Sequence, residues 1–139
     1  ERIETDWPFR VQLPVGTHVP FHCTASGKTF MASLAPKVRT NMVGSLRLEK
    51  LTKNTLIDAE NLLNELRLVA KQGYAIDNEE FVDGMVAIAV PIKDEFGRYV
   101  ASLAFHGPLQ RLSVEGATLR KDVLLNGAKT MKDILFTET

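Results

Sequence analysis

The stretch Gly73 to Pro108, GYAIDNEEFVDGMVAIAVPIKDEFGRYVASLAFHGP, holds two apolar runs of strand length, Met85 to Ile92 and Arg98 to His106. Both are rich in β-branched and aromatic residues, and Asp94-Glu95-Phe96-Gly97 supplies turn chemistry between them, so the stretch predicts a β-hairpin. A four-residue loop sets Lys93 against Arg98. It then places Met85 opposite His106, Ala87 opposite Ala104, Ala89 opposite Ser102 and Pro91 opposite Val100, all on one face. The other face carries Val86, Ile88, Val90 and Ile92 against Phe105, Leu103, Ala101 and Tyr99, a full set of bulky core residues. The first face is hollow by comparison. Three alanines and a serine leave volume for a closely approaching helix or a bound small molecule.

Working outward, Phe9 to Val15 alternates apolar and polar residues and predicts a strand, with Pro8 and Pro14 making it an edge or bulged one. Thr24 or Ser26 can cap a helix that runs through Phe30, Met31 and Leu34 and ends before Pro36. Lys37 to Val43 predicts a short helix closed by Gly44, and Leu51 to Thr55 a connector. Asp58 caps a helix to Gln72, with Leu62, Leu63, Leu66, Val69 and Ala70 on one stripe and Gly73 as its stop. Tyr74 to Ile76 is a short strand. Asp77-Asn78-Glu79-Glu80 is a solvated acidic turn, and Gly107-Pro108 ends the hairpin. Ser113 caps a last helix to about Phe136, with Leu119, Val123, Ala128, Met131 and Leu135 inward. Strands on either side of a helical middle, without βαβ alternation, give an α+β fold: an antiparallel sheet flanked by helices.

The chain has 139 residues, and its 17 basic side chains balance 17 acidic ones. That length suits one domain with a real core, since a chain near ~150 residues hides roughly two thirds of its unfolded surface. Zero net charge lacks the electrostatic footprint of a nucleic-acid or anionic-lipid binder. One cysteine, Cys23, precludes an internal disulfide, and no apolar run approaches the ~20 residues of a membrane span, so the cytoplasm is the expected compartment. The opening Glu-Arg-Ile-Glu-Thr, without Met, reads as a fragment of a longer protein.

Several residue groups invite chemistry. Gly27-Lys28-Thr29 at a helix start resembles the end of a phosphate-binding loop, but the glycine required five residues earlier is His22. What survives is an anion site at the backbone N–H groups around Ala25, Ser26 and Gly27. The cluster Asp77, Glu79, Glu80 and Asp83 lacks calcium-loop spacing. Asp77 ends the short strand beside the hairpin and could face its hollow side. His18, His22, His106 and Cys23 show no zinc-ligand spacing, and neighbours His22 and Cys23 point to opposite faces of an extended segment, so no metal site is expected. His106 falls on the hollow face.

Four blocks together resemble the C-terminal effector-binding domain of IclR-type bacterial transcriptional regulators. They are Val15-Gly16-x-x-Val19-Pro20-Phe21-His22-x-Thr24-Ala25-x-Gly27-Lys28, Leu51-Thr52-x-x-Thr55, Gly73-Tyr74-Ala75-Ile76-Asp77-x-Glu79-Glu80 and Gly107-Pro108-x-x-Arg111. The resemblance covers essentially the whole chain. It implies a GAF-like fold, a homodimer or homotetramer, no cofactor and no enzymatic activity, with an N-terminal winged helix-turn-helix domain and the first strands of the effector domain absent from this chain. DNA would be reached only through that missing domain.

Carried over residue by residue, the family's pocket falls on Ala25 and Ser26 at the helix start, on Asp77, and on Ala87, Ala104 and His106 of the hairpin, with Gly27 and Met85 adjoining. Where some members place hydroxyl or thiol groups on the hairpin, this chain has Ala87 and Ala104. That difference favours an organic acid with an apolar or aromatic body as effector. Two alternatives come from other classes. One is a small hydrolase using Cys23 with His22 or His106; the other is a structural oligomerisation domain whose hollow face is filled by the terminal helix.

Overall fold

The computed structural model describes residues 1–4, 6 and 13–137. In chain order the elements are α1 (Ala25–Ser33), α2 (Pro36–Ser45), α3 (Ala59–Gln72), β1 (Ala75–Asn78), β2 (Met85–Lys93), β3 (Tyr99–Pro108), α4 (Val114–Thr118) and α5 (Lys121–Phe136). The strands form an antiparallel sheet in the order β1-β2-β3. The fold is α+β, as expected. Most of the strand expected over Phe9 to Val15 lies outside the described residues. Among the described residues no helix is long and apolar enough to cross a membrane.

Two cores sit on opposite faces of β2. Val86, Ile88, Val90 and Ile92 pack with Leu112, Ala117, Leu124 and Ala128, which places α4 and α5 on the bulky face. Ala87 and Ala89 pack with Ala25, Met31 and Ala32 of α1 and with Leu62, Leu66 and Val69 of α3. The helix that covers the hollow face is therefore α1, not the terminal one. Alanine on the strand lets a helix backbone approach closely, and α1 contributes Ala25 and Ala32 in return.

The hairpin pairs differently from the expected register. Met85 faces Pro108, Ala87 faces His106, Ala89 faces Ala104 and Pro91 faces Ser102. Two single-residue shifts cause this. The loop holds five residues, because the Asp94 carboxylate accepts the N–H groups of Phe96 and Arg98, each at 2.9 Å, and Lys93 faces Tyr99. A bulge between Ile92 and Lys93 adds the second shift. Two shifts restore the parity of the strand, so the small residues keep their face. Tyr99 is the exception. It turns to the α1 side, with its ring 5.2 Å from Phe30 and its hydroxyl 2.7 Å from Ser102.

The caps of α1 and α3 are as expected: Thr24 accepts the Gly27 N–H, Asp58 accepts the Asn61 N–H, and Gly73 adopts the left-handed conformation with φ 84°. Other boundaries differ. Gly44 lies inside α2 instead of closing it. β3 continues through Gly107 and Pro108, since Gly107 still pairs with Val86. The helix from Ser113 is broken after Thr118, and α5 starts in a new phase. Leu124 and Ala128 are buried, whereas Leu119 is 81% and Val123 72% exposed, and Met131 and Leu135 also face outward. Ala70, expected on the buried stripe of α3, is exposed.

Candidate functional site

A cleft opens where the N-terminal end of α1 meets the small-residue face of the sheet. Thr24, extended at φ −118°, starts the helix; its Oγ1 accepts the Gly27 N–H at 3.1 Å and donates to the Pro20 carbonyl at 2.7 Å. The first N–H groups of α1, on Ala25 and Ser26, have no acceptor within the helix by its geometry. Gly27 is close-packed: a Cβ there would fall 2.6 Å from the Phe21 Cα and 2.7 Å from the Thr24 Oγ1.

The sheet sets the opposite wall. Asp77 pairs with Ala87, and Ala87 pairs with His106, so the three form one row across β1, β2 and β3. With strands ~4.8 Å apart, the acid and the imidazole stand roughly 10 Å from each other across an alanine. A cavity of about 60 Å³, room for a few waters at roughly 10–15 Å³ each, lies over this row. Ala25, Ser26, Asp77, Met85, Ala87, Ala104 and His106 all line it. Gly27 does not, and its N–H is already taken by Thr24. Leu13, Val19, Thr24 and Phe81 complete the wall. Leu13 falls in the alternating Phe9–Val15 stretch and Thr24 is an expected cap, but no periodic signal marks Val19 or Phe81, which arrive from irregular chain through tertiary packing.

Asp77 and Glu80 are not the solvated turn that their sequence suggests. Asp77 is 1% exposed; its Oδ1 accepts the Glu80 N–H at 2.7 Å, and its Oδ2 has no hydrogen-bond partner among the described residues. Burial pushes its carboxyl up to about 7, with the Glu80 charge adding to the rise against the hydrogen bond from the Glu80 backbone. Beneath it, Lys28 is 0% exposed and gives its ammonium to both oxygens of Glu80 at 3.0 Å, to Glu65 at 3.3 Å and to the Ile76 carbonyl at 2.5 Å. Thr52 and Thr55 donate to the carbonyls of Glu79 and Glu80, at 2.6 and 2.7 Å. Leu51 to Thr55 is thus a clamp on the turn that presents Asp77. This role was hidden in sequence because the partners lie 27 and 25 residues away along the chain.

The remaining reactive groups do not assemble. Burial, followed by the Asp77 and Glu80 charges, pushes the Cys23 thiol up to about 12. His22 Nε2 sits 2.8 Å from the Glu49 carbonyl, and His18 is exposed. Burial holds the His106 imidazole below its usual value, and the Arg2 charge adds to that. A neutral, enclosed thiol is a poor nucleophile.

Comparison with known proteins settles the family. The family model "Bacterial transcriptional regulator IclR C-terminal" matches residues 1–131. The chain belongs to this family. It is 37% identical over 115 residues to the "probable transcriptional regulator SauR" of Cupriavidus necator, covering 83% of this chain and 46% of that protein. The crystal structure of IclR from Thermotoga maritima is 30% identical and superposes with a TM-score of 0.87, covering 96% of this chain and 54% of the other. The inducer-binding domain of PobR from Acinetobacter, a double mutant in complex with 3-hydroxybenzoic acid, is 26% identical with a TM-score of 0.78, covering 88% and 73%. The chain spans about half the length of the curated relatives it matches. Its relatives are named regulators and repressors, so the domain is regulatory and the hydrolase alternative has no support.

Proposed function

We propose that the cavity between α1 and the β1-β2-β3 sheet is the effector site, and that its ligand is a small organic acid with an apolar or aromatic body. The observation that carries this reading is Asp77, a buried carboxylate on the cavity wall with one oxygen unpartnered. Such a group costs stability wherever nothing bonds to it, which makes a ligand polar group its natural complement. The carboxylate of the effector sits at the N–H groups of Ala25 and Ser26, and its body lies over Ala87 and Ala104 beside Met85. Asp77 bonds a polar substituent, and His106 stands at the rim.

Binding to one arrangement of a longer regulator shifts its population and hence its DNA affinity; moving that equilibrium from 1:99 to 99:1 takes about 5.5 kcal/mol of discrimination. Relatives run to about twice the length aligned here, so operator contacts belong to a winged helix-turn-helix domain outside these residues. The working form is a cytoplasmic homodimer or homotetramer, which sedimentation of the complete regulator tests.

The direct experiment is a thermal-shift screen with glycolate, lactate and 3-hydroxybenzoate, repeated on Ala87→Phe. A rise in Tm that the variant abolishes is expected. No shift with any acid, or an undiminished shift in a folded Ala87→Phe, overturns the assignment.

A further inference from the structure

We propose, building on the effector reading of this cavity, that it takes up one proton with each carboxylate it binds and that Asp77 holds that proton. The charge inventory of the wall leads there. Among the described residues no lysine or arginine lines the cavity, and the only titratable side chains that do are Asp77 and His106. A ligand carboxylate at the start of α1 would share this small volume with an ionised Asp77. The helix terminus supplies only about half a positive charge against the two negative ones.

The described cations nearby already carry ion pairs. On α1, Lys28 faces two carboxylates besides Asp77, those of Glu80 and, from α3, Glu65. Arg2, whose charge is felt at His106, is ion-paired with Glu4 through Nη2, while its Nη1 is buried with no hydrogen-bond partner among the described residues. Glu79, in the same turn, directs a carboxylate oxygen to the Gly84 N–H at 2.9 Å. Cys23 is neutral, the ring of His22 is engaged at Glu49, and β2 presents only Met85 and Ala87 to the cavity. Two like charges held this close drive one of them to protonate. Burial already keeps the Asp77 carboxyl at about 7, so the proton is available from water near neutral pH.

The step balances simply. The ligand anion, the Asp77 carboxylate and one proton from solvent give a complex in which Asp77 is a carboxylic acid. Protonation converts the orphaned acceptor Oδ2 into a donor, and a donor can bond a ligand oxygen with charge assistance.

Calorimetric titration of the full chain with lactate and with 3-hydroxybenzoate, in HEPES and in Tris near pH 8, counts the protons directly. Uptake close to one per ligand is expected, with affinity falling roughly 30-fold from about pH 6 to about pH 8.5. His106→Gln should keep the uptake and Asp77→Asn should lose it. Binding without uptake in the unmodified chain overturns the proton linkage and leaves the effector site standing. Uptake that persists in a folded Asp77→Asn, or disappears in His106→Gln, overturns the assignment to Asp77. If neither acid binds at any of these pH values, the effector reading falls and the linkage with it. Should Asp77→Asn fail to fold, the proton count of the unmodified chain and of His106→Gln still decides.

Discussion

The Lys28 ammonium lies 3.0 Å from each carboxylate oxygen of Glu80, and both side chains are withdrawn from solvent. This pair joins α1, whose start lines the cavity, to the turn after β1 that presents Asp77. Removing one partner leaves a buried charge without compensation, which typically costs about 3–5 kcal/mol. Lys28→Met should therefore lower the urea midpoint sharply, and adding Glu80→Gln to it should recover much of the loss. A Lys28→Met chain less than about 1 kcal/mol weaker than the parent would show that the pair does not hold the two elements together.

Asp77 should make stability fall as pH rises. Its folded-state value of about 7 stands above the ordinary 3.8, chiefly through burial, so the folded chain holds the proton more tightly than the unfolded one. The contribution is complete below about pH 4 and is lost on passing through about pH 7. Asp77→Asn, which carries no charge, should be more stable than the parent near pH 8 by roughly 2–4 kcal/mol and nearly equal to it near pH 4. Denaturation curves at the two pH values check this; a gap that grows on acidification would contradict it.

Gly27 and Gly44 should respond oppositely to alanine. A Cβ at Gly27 meets the Phe21 backbone, which cannot yield as a side-chain tip would, and overpacking of this kind costs about 1–3 kcal/mol. Gly44 is inside α2 with nothing within 4 Å of an added Cβ. There alanine should add about 0.5–1 kcal/mol through helix propensity. Equal effects on Tm at the two positions would argue against the close approach of Phe21 to α1.

The Cys23 thiol, pushed up to about 12 and fully enclosed, should react with an aromatic disulfide reagent near pH 8 only as fast as the domain opens. Addition of urea should bring the rate to that of a free thiol. Reaction of the native chain at the free-thiol rate would mean that the side chain is accessible.

Much of this architecture is legible in the sequence. Thr24, Asp58 and Gly73 announce the ends of α1 and α3 because capping is a matter of neighbours within one turn. The alternation in Met85 to Ile92 and Ser102 to His106 assigns these residues to faces for a similar reason, since a strand reverses its side chains at every residue. The register was not legible. It depended on five loop residues held by Asp94 and on a bulge, and no local pattern distinguishes that from a four-residue loop. In the final helix only Ala128 of the expected inward residues is buried, because the break at Leu119 and Arg120 shifts the phase of the stripe. As a result Leu124, rather than Val123, meets the sheet.

The candidate site divides along the same line. Local pattern and family resemblance picked out Ala25, Ser26, Gly27, Asp77, Met85, Ala87, Ala104 and His106, and all but Gly27 line the cavity. Tertiary structure decided the state of those residues. Asp77 and Glu80 read as a hydrated turn until α1 and the Thr52–Thr55 clamp close over them. Lys28 finds Glu80 52 positions further along the chain. Desolvation and long-range ion pairing depend on what packs above a residue, and only the folded chain brings those partners within reach. The hollow face of the hairpin was therefore readable as a place for something small, whereas its charge, with one orphaned acid and no lining cation among the described residues, belongs to the fold.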